Sequence, residues 1–130
     1  MNERCIQMKR NQVILAVDDD ERTLEMLNRV FTLEGYDITT ATSGKSALAL
    51  LDEHTPDLIL LDIMMPGLDG FEVLDRIRQC CNVPVVMITA KCDVLSLRDA
   101  LFLGADDYVR KPFGAREVVA RVKAKLRRAE

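Results

Sequence analysis

Three short apolar runs and one short strand-like segment in this chain stop on residues that can do chemistry. Residues 13–17 (VILAV) stop on Asp18, Asp19, Asp20 and Glu21; residues 58–61 (LILL) stop on Asp62; residues 83–88 (VPVVMI) stop on Thr89; residues 107–110 (DYVR) stop on Lys111. An acid cluster, a single acid, a hydroxyl and a lysine form a narrow set. Gathered carboxylates repel one another unless a cation sits among them, and an all-oxygen donor set without His or Cys suits Mg²⁺, which keeps several waters and shares its shell with phosphate oxygens. A lysine on the other side adds fixed positive charge, so the set could neutralise a transferring phosphoryl group. An aspartate carboxylate can accept such a group as an aspartyl phosphate, and the Thr89 hydroxyl could hydrogen-bond one of its oxygens. Any one of these residues alone could be a loop cap, and one acid of the 18–21 run can cap the following helix.

The chemistry depends on elements that bring the four ends together. The runs at 13–17 and 58–61 are too short for globular helices and read as strands, the second buried on both faces. Between the runs, apolar residues recur at helical spacing: Leu24, Leu27, Val30 and Phe31 ahead of Gly35; Ala47, Leu48 and Leu51 behind a Ser43 cap; Phe71, Leu74 and Ile77 up to about Gln79; a pattern over 93–103 ended by Gly104; and Val118, Val119, Val122 and Leu126. A less apolar strand is expected over 36–41, near a sheet edge. Pro84 sits at the start of its run, where a missing ladder donor is tolerated. Five alternations of strand and helix imply a parallel sheet covered by helices on both faces, with right-handed crossovers. In such a sheet the ligand crevice lies beyond the carboxyl ends of the strands, where Asp18, Asp19, Asp62, Thr89 and Lys111 fall.

Composition narrows the class. At 130 residues, 48% hydrophobic and 30% charged, the chain is expected to be one domain, with residues 1–12 a loose extension and 13–130 the folded unit. A net charge of −3 argues against nucleic-acid binding by this unit itself, although the last helix is locally basic. Cys5, Cys80, Cys81 and Cys92 lack C-x-x-C spacing, and His54 is the sole histidine, so neither a zinc site nor a disulfide framework is supported. The expectation is a reduced, cytoplasmic protein. MNERCIQMKRN has no apolar core of a signal peptide, and no apolar run is long enough for a membrane span.

Taken together, VDDD at 17–20, LLDIMMPGLDG at 60–70, ITA at 88–90 and GADDYVRKPF at 104–113 closely resemble the receiver domains of bacterial two-component response regulators, over residues 13–129. The resemblance implies a flavodoxin-like, doubly wound (βα)5 fold with a five-stranded parallel sheet in order 2-1-3-4-5. It implies Asp62 as phosphoacceptor, Asp18 and Asp19 as Mg²⁺ residues with the Met64 carbonyl, and Lys111 as the phosphoryl contact. Thr89 and Tyr108 would be the switch pair, and Lys111-Pro112 would be cis. Met64 and Lys91, each two residues past a site residue, would flank the approach of hydrolytic water and lengthen the phosphoryl lifetime. A sensor histidine kinase is the implied partner.

GADDYVRKPF followed by EVVARVK at 117–123 and Arg127-Arg128 looks like the branch whose receivers precede a winged-helix DNA-binding domain, so DNA contact would belong to an output domain absent here. In that branch the face formed by the helix over 93–103, the strand after it and the last helix pairs two phosphorylated copies. Asp106 and Asp107 would meet Arg121 and Arg128 across a two-fold axis, with Leu97 and Phe102 either adding apolar area to that face or packing into the core. Two other classes stay open beside the phosphorylation switch. One is a Mg²⁺-dependent phosphatase, which resembles D-x-D-x-[TV] where residues 62–66 read Asp-Ile-Met-Met-Pro. The other is a phosphate-independent interaction module on the same fold, which would be expected to lack Asp62, Thr89 or Lys111.

Overall fold

The structure is a computed structural model of the chain, and it describes residues 11–63, 70–90 and 104–129. Its elements are β1 (Val13–Val17), α1 (Glu21–Leu33), β2 (Asp37–Ala41), α2 (Gly44–Glu53), β3 (Leu58–Asp62), α3 (Gly70–Cys80), β4 (Val85–Thr89), β5 (Asp107–Arg110) and α4 (Ala115–Ala129). The strands form one parallel sheet in the order β2-β1-β3-β4-β5, the order the resemblance implies. The helix expected over 93–103 lies outside the described residues, as do residues 1–10.

The helices cover both faces of the sheet. Alternate strand residues point to opposite sides, so the unbroken run Leu58-Ile59-Leu60-Leu61 feeds two cores at once. Leu58 and Leu60 pack with Leu27 and Phe31 of α1 and Val118 and Val122 of α4. Ile59 and Leu61 pack with Ala47 of α2 and Val73, Leu74 and Ile77 of α3. A strand buried on both sides has a single workable register, because a slip of one residue would exchange the two cores. That register carries Asp62 to the carboxyl edge, opposite Ile88. β2 is mostly exposed, with only Ala41 buried, as befits an edge strand.

Local chemistry explains most element ends. Asp20 caps α1 by accepting from the Arg22 N–H at 3.0 Å. The Tyr36 N–H returns to the Phe31 carbonyl and the Gly35 N–H to that of Thr32, a Schellman closure sealed by the Tyr36 ring standing edge-on to Phe31 at 5.8 Å. Ser43 and Ser46 form a reciprocal capping box at the start of α2. Two boundaries differ from the sequence reading. β2 begins at Asp37 rather than Tyr36, because Tyr36 is consumed by the α1 closure. β4 spans Val85–Thr89 rather than 83–88, because Pro84 has no N–H to join the ladder while its carbonyl accepts from Ile59.

Candidate phosphoacceptor site

Parallel pairing places the expected residues on one edge. Val17 pairs with Leu61, Asp62 with Ile88 and Thr89 with Arg110, so Asp18, Asp62, Thr89 and Lys111 each end or follow a neighbouring strand. The Lys111 N–H donates to the Thr89 carbonyl at 2.7 Å, extending the β4–β5 ladder by one step. The Lys111-Pro112 peptide is cis, matching the expectation.

Burial separates the acids into two kinds. Asp18 is fully buried, Asp62 is 3% exposed and Asp19 is exposed. One oxygen of Asp18 accepts from the Asp20 N–H at 2.9 Å, which orients the carboxylate, and the other lies 2.8 Å from the Lys111 Nζ. The same ammonium is 3.3 Å from Asp62 Oδ2. Burial pulls the Lys111 pKa down, but the hydrogen bond with Asp18 and the charges of Asp62 and Asp18 outweigh it, leaving the pKa above the ordinary lysine value. Lys111 is therefore a fixed cation at neutral pH. Thr89 is completely buried at the end of β4.

A close packing contact holds the floor of the site. The first residue of α3, Gly70, lies against the residue that follows Asp62, and its N–H donates to the Ile63 carbonyl at 3.4 Å. A Cβ at position 70 would stand 2.9 Å from the Asp62 carbonyl oxygen and still closer to the Ile63 backbone. Glycine is required for α3 to begin directly behind the end of β3.

Asp18, Asp19 and Asp62 each offer a carboxylate oxygen, and these oxygens lie within 4.8 Å of one another. Three carboxylates against one ammonium leave the set net negative. Hard oxygen donors at this spacing fit a small divalent cation such as Mg²⁺, and the donor set fits nothing that prefers nitrogen or sulfur. Met64 and Lys91, expected to complete or flank the site, lie outside the described residues.

The remaining expected residues fall on the β5–α4 side. Tyr108 is 38% exposed and pairs in register with Met87. Arg121 reaches both oxygens of Asp107 at 3.0 Å and Glu117 at 3.4 Å within the same chain. Asp106 instead meets Arg78 of α3 at 3.1 Å and accepts from the Val85 N–H at 2.8 Å. Leu97, Phe102 and the Arg128 side chain lie outside the described residues.

Two structural residues escaped the sequence reading. Asp57 accepts from the Val13 N–H at 2.7 Å, so it tethers the start of β1 to the start of β3. Arg78 donates to the carbonyls of Gly104 and Cys81 as well as to Asp106, which ties the end of α3 to the entry of β5. An acid just before an apolar run is a faint local signal for Asp57. Arg78 has none, since its partners are distant in sequence.

A doubly wound sheet carrying a buried acid pair, a third acid, a hydroxyl and a lysine at its carboxyl edge defines a flavodoxin-like α/β protein with an acidic crevice at that edge. The profile of the response regulator receiver domain matches residues 14–123, and the chain belongs to that family. It is 49% identical over 119 residues to the DNA-binding response regulator MtrA of Mycolicibacterium smegmatis, covering 92% of this chain and 52% of that protein. It is 46% identical over 124 residues to the probable transcriptional regulator ycf27 of Cyanidium caldarium, covering 95% and 50%. The chain thus spans about half the length of these curated relatives. Among solved structures, the receiver domain of the Francisella response regulator 1452 superposes with a TM-score of 0.87 at 36% identity, covering 92% of this chain and all of that one. The chain is accordingly a receiver domain of a two-component response regulator. No helix among the described residues is long and apolar enough to cross a membrane.

Proposed function

We propose that this receiver takes a phosphoryl group from the phosphohistidine of a sensor histidine kinase onto Asp62 and that the change is read by an output domain. The observation that carries this reading is the position of Asp62: it ends the central strand, is almost buried, and lies 3.3 Å from the Lys111 ammonium beside Asp18 and Asp19. An Asp62 oxygen forms the new P–O bond as the donor's P–N bond breaks, and the imidazole leaves with the electron pair. Lys111 stays protonated and faces the negative phosphoryl oxygens. Asp18, Asp19 and Asp62, together with the Met64 carbonyl, would hold Mg²⁺, which when bound would supply charge neutralisation to the incoming phosphoryl group.

Thr89 and Tyr108 form the switch pair in this reading, because both lie on the strands that flank the route from Asp62 to the β5–α4 face. Phosphorylation then favours a homodimer through that face. The chain catalyses only its own phosphotransfer and the hydrolysis that reverses it, and it works in the cytoplasm. Residues 13–130 form the receiver, residues 1–12 an extension, and transcriptional control through DNA belongs to a further domain. The names of the MtrA and ycf27 relatives support that last assignment. A phosphatase reading gains nothing from residues 62–66, where Met64 stands in place of a second acid.

The test is incubation with acetyl phosphate and Mg²⁺ followed by intact-mass measurement. One added phosphoryl group is expected, lost in Asp62→Asn and in EDTA. Full labelling of Asp62→Asn would overturn the assignment.

A further inference from the structure

β5 is a lightly anchored strand. It is four residues long, lies at the sheet edge beside β4, and of its side chains Val109 alone is buried. Its register against β4 nevertheless decides where Lys111 goes. Thr89 pairs with Arg110, the Lys111 N–H takes the Thr89 carbonyl, and the ammonium then reaches Asp18 and Asp62. A slip of one residue would turn Val109 out of the core and carry Lys111 about 3.3 Å along the edge.

The entry of the strand carries a clamp. Asp106 bonds Val85, the first residue of β4, in both directions: its N–H donates to the Val85 carbonyl at 2.8 Å, and its carboxylate accepts from the Val85 N–H at 2.8 Å. Val85 is fully buried, so removing the carboxylate would leave a buried donor without its acceptor. Arg78 fixes that carboxylate. Its Nη2 lies 3.1 Å from Asp106 Oδ2, the oxygen that takes the Val85 N–H, while Nε donates to the Gly104 carbonyl at 2.9 Å and Nη1 to the Cys81 carbonyl at 3.3 Å. One planar guanidinium thus holds both the chain leaving α3 and the chain entering β5. Arg121 also grips Asp107, but from α4, and that contact does not set β5 against β4.

We propose that Asp106, oriented by Arg78, is a positioning residue for phosphoryl transfer: it sets the register of β5 on β4 and so keeps Lys111 at the acid cluster. The inference rests on the reading of Asp62 as phosphoacceptor. The Arg78–Asp106 pair keeps solvent contact and contributes little by itself, so the register is carried by the paired bonds to Val85. α3 supplies a common reference. Gly70, its first residue, lies against Asp62 and Ile63, and Arg78 near its other end holds the entry of β5. Acceptor and lysine are therefore placed from the same helix.

Two measurements on the whole chain test this: amide hydrogen exchange of Lys111 by NMR, and the rate of mass increase with acetyl phosphate and Mg²⁺. Asp106→Ala is expected to speed Lys111 exchange and to slow labelling, each by about tenfold, with the β1 and β3 amides unchanged. Asp106→Asn keeps an acceptor for the Val85 N–H and should restore both readouts to within about threefold of wild type. Arg78→Gln leaves the carboxylate in place but unheld; it should speed Lys111 exchange by about threefold or more, and it decides the question if the alanine variant does not fold. On a Lys111→Ala background, Asp106→Ala should slow labelling no further, and additional slowing would overturn the proposal. Unchanged Lys111 exchange in Asp106→Ala and Arg78→Gln would overturn it too, as would equal acceleration in β1 and β3, which would leave Asp106 a role in overall stability alone. Failure of the acceptor reading is told apart from these: Asp62→Asn would then still be labelled, whatever the exchange of Lys111.

Discussion

The ammonium of Lys111 lies closer to Asp18, at 2.8 Å, than to the proposed acceptor Asp62, at 3.3 Å. In this arrangement the lysine already serves the acid cluster as its cation. Lys111→Ala should destabilise the metal-free protein by roughly 2 kcal/mol, less than a fully buried pair would lose because the lysine keeps some solvent contact. Added Mg²⁺ should recover much of that loss, so the metal-induced gain in urea stability is expected to be larger in the variant than in wild type. Equal gains would show that lysine and metal act independently.

Asp19→Asn tests the same electrostatics from the exposed side. Removing one of three mutually repelling carboxylates should leave metal-free stability unchanged or slightly raised, while Mg²⁺ affinity falls by about tenfold or more, roughly 1.4 kcal/mol. Titration followed by calorimetry or thermal shift checks both halves, and retained Mg²⁺ affinity would remove Asp19 from the ligand set.

The phosphoryl group on Asp62 should be long-lived, decaying over roughly tens of minutes or longer, because Met64 offers no hydrogen bond to orient an in-line water. Decay can be followed by loss of the added mass after the phosphodonor is removed. Met64→Asn should hasten it, and decay of the wild-type adduct within seconds would reject the role given to Met64 and Lys91.

A dimer through the β5–α4 face would compete with an existing contact. Arg121 is engaged by Asp107 and Glu117 in its own chain, and these partly exposed pairs contribute about 0–1 kcal/mol each. Arg121→Glu should therefore cost little monomer stability yet weaken a dimer of beryllofluoride-treated protein, read by light scattering. A monomer in both states at high concentration would refute phosphorylation-dependent pairing for these residues.

Arg78 and Gly104 should be energetically coupled. Gly104 has φ +112°, and a Cβ there would come within 2.9 Å of Arg78 Nε, which donates to the Gly104 carbonyl. Gly104→Ala should destabilise by about 1–3 kcal/mol. Added to Arg78→Ala it should cost at least about 0.5 kcal/mol less than the sum of the single changes, because the clash partner is gone. Strict additivity in denaturant unfolding would show that the two do not share one contact.

What was legible in the sequence was whatever burial wrote into a local pattern. LILLD announced a strand covered on both faces, and the alternation of strand and helix implied parallel strands whose carboxyl ends put Asp18, Asp62, Thr89 and Lys111 on one edge, while the order of the strands came from the resemblance. The boundary at β4 was missed because Pro84 supports the ladder through its carbonyl while lacking a donor. Arg78 with Asp106 was illegible for a different reason: they pair across 28 positions, and no periodicity encodes such a partner. Their in-chain pairing also leaves Asp106 committed to Arg78 and Val85, so an exchange between copies falls mainly to Asp107 and Arg121.

The hydrogen bond from the Lys111 N–H to the Thr89 carbonyl, on a residue with no solvent exposure, has a consequence for how information could be stored there. The main chain at Thr89 is held by the ladder and its side chain is fully buried. A β-branched residue confined in this way occupies one staggered well or another, with little between. Any message carried by that hydroxyl is discrete in each molecule, and a graded response of the population is a count of molecules in each well.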